Sequence, residues 1–153
     1  MSRTFRGTSV FDQLRMSSAH VRRHATARYS FAVDGGAISL ITPVKNATIP
    51  AGAVIVGGVI SVPTASGAVT SLGSATVSIG LSAGGAGAAA LLAATAKATF
   101  ANSALLQMIP KSSDSTTQIL MSAAGTITCT VAVAALTAGI IDILVEYVIP
   151  NEA

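Results

Sequence analysis

Two stretches near the C-terminus, TITCTVAV at 126–133 and IIDILVEYVI at 140–149, are joined by AALTAG at 134–139. In the first, Thr126, Thr128 and Thr130 alternate with Ile127, Cys129, Val131 and Val133. In the second, Ile141, Ile143, Val145, Tyr147 and Ile149 alternate with Ile140, Asp142, Leu144, Glu146 and Val148. Side chains of a strand point alternately to opposite faces, so each stretch presents one apolar face. Asp142 and Glu146 mark the outer face of the second stretch as solvated. This is the half-buried antiparallel pattern, and the pair reads as a closing β-hairpin.

Upstream the same signals recur. Tyr29, Phe31 and Val33 alternate with Arg28, Ser30 and Ala32, and Asp34-Gly35-Gly36 supplies a turn. Ile38–Ile41 reads as a short strand, and Pro43–Pro50 as a loop. Val54–Val62 is a β-branched strand whose Gly57-Gly58 pair marks a bulge or sharp bend. Ala75–Leu81 alternates again, and Leu105–Ile109 and Gln118–Met121 read as short extended pieces. Ala88–Ala96 is rich in good helix formers and predicts one or two helical turns. About eight short strands separated by turn signals predict an all-β fold: an antiparallel, jelly-roll-like β-sandwich.

The chain has 153 residues, the size of one domain. It is 51% hydrophobic but only 4% aromatic, and only 10% of its residues are charged. A core of Ala, Val, Ile and Leu buries little area per side chain, at roughly 25 cal/mol per Å². So sparse a charge favours a subunit partly covered by neighbours over a freely diffusing monomer. The charge that exists is segregated. Residues 1–28 hold Arg3, Arg6, Arg15, Arg22, Arg23 and Arg28 against Asp12. The remainder holds Lys45, Lys97 and Lys111 against Asp34, Asp114, Asp142, Glu146 and Glu152. The expected organisation is therefore a basic N-terminal arm, 1–28, on a nearly uncharged body, 29–153. Val10, Phe11 and Leu14 fit one face of a short helix, with Ser9 as its cap. Such large apolar residues argue for an arm that orders when it docks on a partner.

Catalytic chemistry finds no support. The body contains no histidine, so its serines lack the usual base. Asp142 and Glu146 are four residues apart on one strand, roughly 13 Å, too far for a glycosidase carboxylate pair. Gly85–Ala90 matches the dinucleotide fingerprint, but no acid occurs from Gly35 to Ser113 to meet a ribose. His20 and His24 could share a helix face as metal ligands, yet no cysteine is nearby and Asp12 is the only acid of the arm. Cys129, the lone cysteine, reads as a buried thiol on the apolar face. No catalytic, cofactor-binding or metal-ligating residue is expected. The apolar runs Ile79–Ala96 and Ile127–Val148 are broken by glycines or acids, so no membrane span is expected either.

Several segments resemble capsid decoration (cement) proteins and related small head proteins of tailed bacteriophages. They are Ala27-Arg-Tyr-Ser-Phe-Ala-Val-Asp-Gly-Gly36, Ile49-Pro-Ala-Gly-Ala-Val-Ile-Val-Gly-Gly58, Ala134-Ala-Leu-Thr-Ala-Gly139 and Val145-Glu-Tyr-Val148. The likeness runs from about Ala27 to Val148, and no motif in it carries chemistry. It implies a trimeric β-sandwich subunit, made in the host cytoplasm, that binds the major capsid protein on the outside of an icosahedral head and braces it. The arm has no counterpart in the resemblance. From its composition alone, Arg3, Phe5, Arg6, Phe11, Leu14, Arg15, Arg22, Arg23 and Arg28 are the expected capsid-contacting residues. Nucleic acid is not an expected partner, because few aromatics interleave the arginines. The competing expectations are a shell-forming coat protein with an interior basic arm on the genome, and a fibre or adhesin binding module.

Overall fold

A computed structural model describes residues 22–65, 67–83, 87–108 and 118–150. The expected helix around Val10–Leu14 lies outside them, as do His20 and most of the arm. Within them the chain is an antiparallel two-sheet sandwich, as the alternation requires. Its strands are β1 (Arg23–Ser30), β2 (Leu40–Ile41), β3 (Lys45–Asn46), β4 (Thr48–Ile49), β5 (Val54–Ser61), β6 (Thr70–Ser71), β7 (Thr76–Leu81), β8 (Leu92–Ala96), β9 (Leu105–Gln107), β10 (Ile119–Leu120), β11 (Gly125–Ala132), β12 (Leu136–Ala138) and β13 (Ile140–Val148). One sheet runs β10-β5-β13-β1-β3, with β9 also on β5. The other runs β2-β11-β7-β8, with β4 also on β11, and β12 and β6 form a small ribbon. Ala27, Ile60, Ile143 and Val145 of the first sheet share one core with Ile79, Ile127 and Cys129 of the second.

The expected closing hairpin is not a strand pair. β11 pairs with β7, β2 and β4, whereas β13 pairs with β1 and β5. The two most regular strands therefore face each other across the core instead of sharing an edge. The connection explains this. It is too long for a two-residue hairpin turn, and it carries β12, which pairs with β6. Val133 and Gly139, at its two ends, both have positive φ, 73° and 145°. The chain thus leaves one sheet after β11 and enters the other at β13. β3 and β4 make a second crossing between the sheets: β3 pairs with β1 and β4 with β11. At this corner Asn46 Nδ2 donates to the Ile127 carbonyl at 2.5 Å, and its Oδ1 accepts from the Ile127 N–H at 3.2 Å.

Three local expectations are corrected. First, the first sheet begins at Arg23, so residues 23–28 are a strand of the body and not arm. Ala25, Ala27 and Tyr29 are its buried face, and the small alanines hid that alternation among the basic residues. Second, Phe31–Asp34 forms one helical turn, α1, instead of continuing the strand. Asp34 fixes it: one carboxylate oxygen accepts from the Ser30 N–H and the other from the Val44 N–H, both at 2.8 Å. Third, Leu92–Ala96 is strand β8, paired with β7, not helix. Pairing with a formed sheet overrides the modest helix preference of alanine.

β5 is bulged, immediately before the Gly57-Gly58 pair and not at it. Glu146 opposes Gly57 and Tyr147 opposes Ile55, so Val56 is the extra residue on β5. Gly58 has φ 157°, and a β-carbon there would collide with the Leu144 carbonyl oxygen and Met108 Sδ. No helix among the described residues is long and apolar enough to cross a membrane.

Candidate interaction face

The outward face of the first sheet brings Arg22, His24 and Arg28 together with Asp142 and Glu146. Its strands hold a fixed register, so its side chains form rows across the sheet. One row is Lys45, Arg28, Asp142, Ser61 and Leu105, on β3, β1, β13, β5 and β9. The next outward row is Thr26, Leu144, Val59 and Gln107. The third is His24, Glu146 and Gly57. Rows lie two residues apart, about 6.6 Å along the strands.

The outer rows carry the charges, and the middle one is uncharged with Leu144 and Val59 at its centre. Arg28 donates from Nε to Asp142 Oδ1 at 2.5 Å and from Nη2 to Oδ2 at 2.8 Å, a two-pronged pair. The carboxylate holds the guanidinium proton more tightly than usual, through the hydrogen bonds first and the charge second. Arg22 donates to Glu146 Oε2 at 2.9 Å, and His24 Nε2 stands 3.7 Å from Oε1 of the same carboxylate. Between these rows Val59 is 39% exposed and Leu144 36%, and Leu105 beside them is 73% exposed. Together they floor an open groove of about 860 Å³ with the Arg28–Asp142 pair on its wall.

The arginines expected to contact a partner divide accordingly. Arg3, Phe5, Arg6, Phe11, Leu14 and Arg15 lie outside the described residues. Arg22, Arg23 and Arg28 fall at or within β1, and Arg22 and Arg28 are engaged by body acids. Charge segregation along the sequence is thus partly cancelled in space. Asp142 and Glu146, expected as merely solvated charges, are the partners of these arginines. The groove residues Val59, Leu144 and Leu105 were missed. The signal for Leu144 was legible: it is an apolar residue in phase with Asp142 and Glu146.

A second exposed apolar region lies at the β2 edge of the other sheet. Val33, Ile38, Leu40 and Val44 are all exposed within one short segment. Among the described residues no cluster of three or more His, Cys, Asp or Glu side chains could hold a metal ion. Cys129 is buried, and burial pushes its thiol up to about 12.

No family model and no curated protein matches the chain. Solved structures do. A chain of the cyanophage Pam1 capsid asymmetric unit matches with a TM-score of 0.58 at 15% identity, over 86% of both chains. A chain of the acid-stable capsid of Helicobacter pylori bacteriophage KHP30 matches with a TM-score of 0.53 at 14% identity, over 86% of this chain and 91% of that one. The fold is one found in phage capsids. A chain of the Ralstonia phage GP4 capsid matches with a TM-score of 0.52 at 14% identity, over 82% of this chain and 84% of that one. At such identities the shared property is the sandwich itself, spanning nearly the whole described body.

Proposed function

We propose that this chain is a structural subunit of a bacteriophage virion, a decoration protein that binds the outer surface of an icosahedral head and stabilises it. The observation that carries the reading is the fold match, nearly end to end, to chains of three phage capsids. The surface supports it. Between Lys45 and Lys97 the sequence contains no charged residue, and the β2 edge exposes four large aliphatic side chains. A surface of this kind suits contact with copies of itself and with a shell, and a homotrimer is the proposed assembly. Many copies on one shell give firm attachment from weak individual contacts.

The contact with the major capsid protein is assigned to the segment before Arg22, with Arg3, Arg6 and Arg15 as its cations. The body needs Arg22 and Arg28 for its own acids, which leaves the upstream arginines for a partner. A truncation that tests this ends at residue 21, because one ending at 25 would remove the start of β1. The protein lacking 1–21 is expected to fold and to leave purified shells bare. Full occupancy of shells by the truncated protein would refute the assignment.

The competing reading is a shell-forming coat protein. The small body and the engagement of Arg22 and Arg28 by the body's own Glu146 and Asp142 both weigh against an arm devoted to a genome.

A further inference from the structure

We infer that residues 10–14, Val-Phe-Asp-Gln-Leu, seat on the groove of the same chain's first sheet. This concerns the free subunit and is independent of the shell-binding role. The groove presents Val59, Leu144 and Leu105 to solvent. Its open shape, with the Lys45–Arg28–Asp142 row along it, fits a strip of polypeptide better than an enclosed small molecule. The chain outside the described residues ends on the same sheet face. Arg22, the first described residue, bonds Glu146 on this same face at 2.9 Å. The 21 residues before it therefore leave from the same sheet face, one row beyond Leu144.

Composition and charge identify which of those residues fit. Val10, Phe11 and Leu14 are apolar residues grouped closely enough to cover Val59, Leu144 and Leu105 together. Asp12, between them, is the only acid in residues 1–21. Lys45 is the complementary charge. It stands next to Arg28 in register at the end of the ionic row. The Arg28 guanidinium is taken by Asp142, and no acid among the described residues pairs with Lys45. Reach is ample. Asp12 is ten residues from Arg22, up to roughly 35 Å of extended chain. Lys45 lies six residues along β1 and one strand over, about 20 Å away. Seated this way, residues 10–14 bury Val59, Leu144 and Leu105 and leave Arg3, Phe5 and Arg6 for another partner.

Zero-length carbodiimide cross-linking of the full chain tests this, since the reagent joins a carboxylate to a lysine amine only when they touch. Equal amounts of isotopically labelled and unlabelled protein are mixed first, and linked peptides are read by mass spectrometry. The expected product joins Asp12 to Lys45 within single chains, at a yield independent of protein concentration. Asp12→Asn should abolish it. Leu144→Arg should lower it at least tenfold, with a thermal midpoint near the parent's expected as the check that the sheet is intact. A link found only between labelled and unlabelled chains would overturn the inference by placing a second copy's segment in the groove. Absence of the link while Asp12 still couples to a small soluble amine would overturn it by showing Asp12 in open water.

Discussion

Arg28 and Asp142 stand directly opposite each other on β1 and β13, joined by two parallel hydrogen bonds of 2.5 and 2.8 Å. They come from opposite ends of the sequence, so the pair closes the first sheet around the first and last regular strands. Opposite charges directly across an antiparallel ladder favour this register, and like charges oppose it. The reversal Asp142→Arg is therefore expected to lower the thermal midpoint, and the double exchange Arg28→Asp with Asp142→Arg to recover most of the loss. Both side chains are partly exposed, so 1 M salt should shrink the difference between the single and double variants. Thermal melts of the four proteins at two salt concentrations measure it, and equal midpoints for single and double variants would show that the pair does not set the register.

Gly58 is expected to resist any side chain. An added methyl would meet the Leu144 carbonyl oxygen and Met108 Sδ, in a backbone conformation that other residues rarely adopt. Gly58→Ala should destabilise the protein by on the order of 2–3 kcal/mol. Gly87→Ala is the control, because a β-carbon there meets nothing within 4 Å. Urea unfolding of the two variants distinguishes them.

Val133 has the opposite character. A β-branched residue at φ 73° is strained, and its side chain is 69% exposed, so little packing offsets the strain. Val133→Asn should stabilise the fold by about 1 kcal/mol. A loss of stability would mean that the exposed valine packs against something in the free protein.

Stability should fall in alkali. Burial raises the Cys129 thiol from its ordinary 9.0 to about 12, and burial is also the chief cause of the upward shift of the Tyr29 hydroxyl. Tyr29 Oη donates to the Gly35 carbonyl at 2.7 Å, a bond its ionised form could not make. For both groups the folded state holds the proton more tightly than the unfolded state. Their contribution is complete below about pH 9 and is lost as pH rises toward 12. The Cys129 part falls at ~1.4 kcal/mol per pH unit in that window. Urea midpoints from pH 8 to 11 measure the slope. Native Cys129 should also resist alkylation at pH 9 and react once the chain is unfolded.

The sandwich was legible because its longest strands carry strict alternation: Ile127, Cys129 and Val131 on β11, and Ile141, Ile143, Val145 and Tyr147 on β13 are all buried as their phase requires. What period-two patterning cannot say is which strand neighbours which. β11 and β13 are adjacent in sequence and satisfy every local hairpin signal except turn length, yet their apolar faces meet across the core. Partner choice was set by β1, whose Ala25 and Ala27 gave too weak a hydrophobic signal beside Arg23 and Arg28. The outer-face acids were visible as charges, but their partners depended on that unseen pairing. Leu144 was legible as an apolar residue in a polar phase. Val59 and Leu105 were not, because nothing local distinguishes the outer face of a bulged or very short strand.

We propose that this sandwich decorates a shell it does not itself build. The most direct measurement is electron microscopy of the purified chain, alone and after mixing with phage heads stripped of accessory proteins. The account expects small oligomers alone, and added density at regular positions on the outer surface of the mixed heads. Closed particles formed by the chain alone and containing nucleic acid would contradict it and establish a coat protein instead.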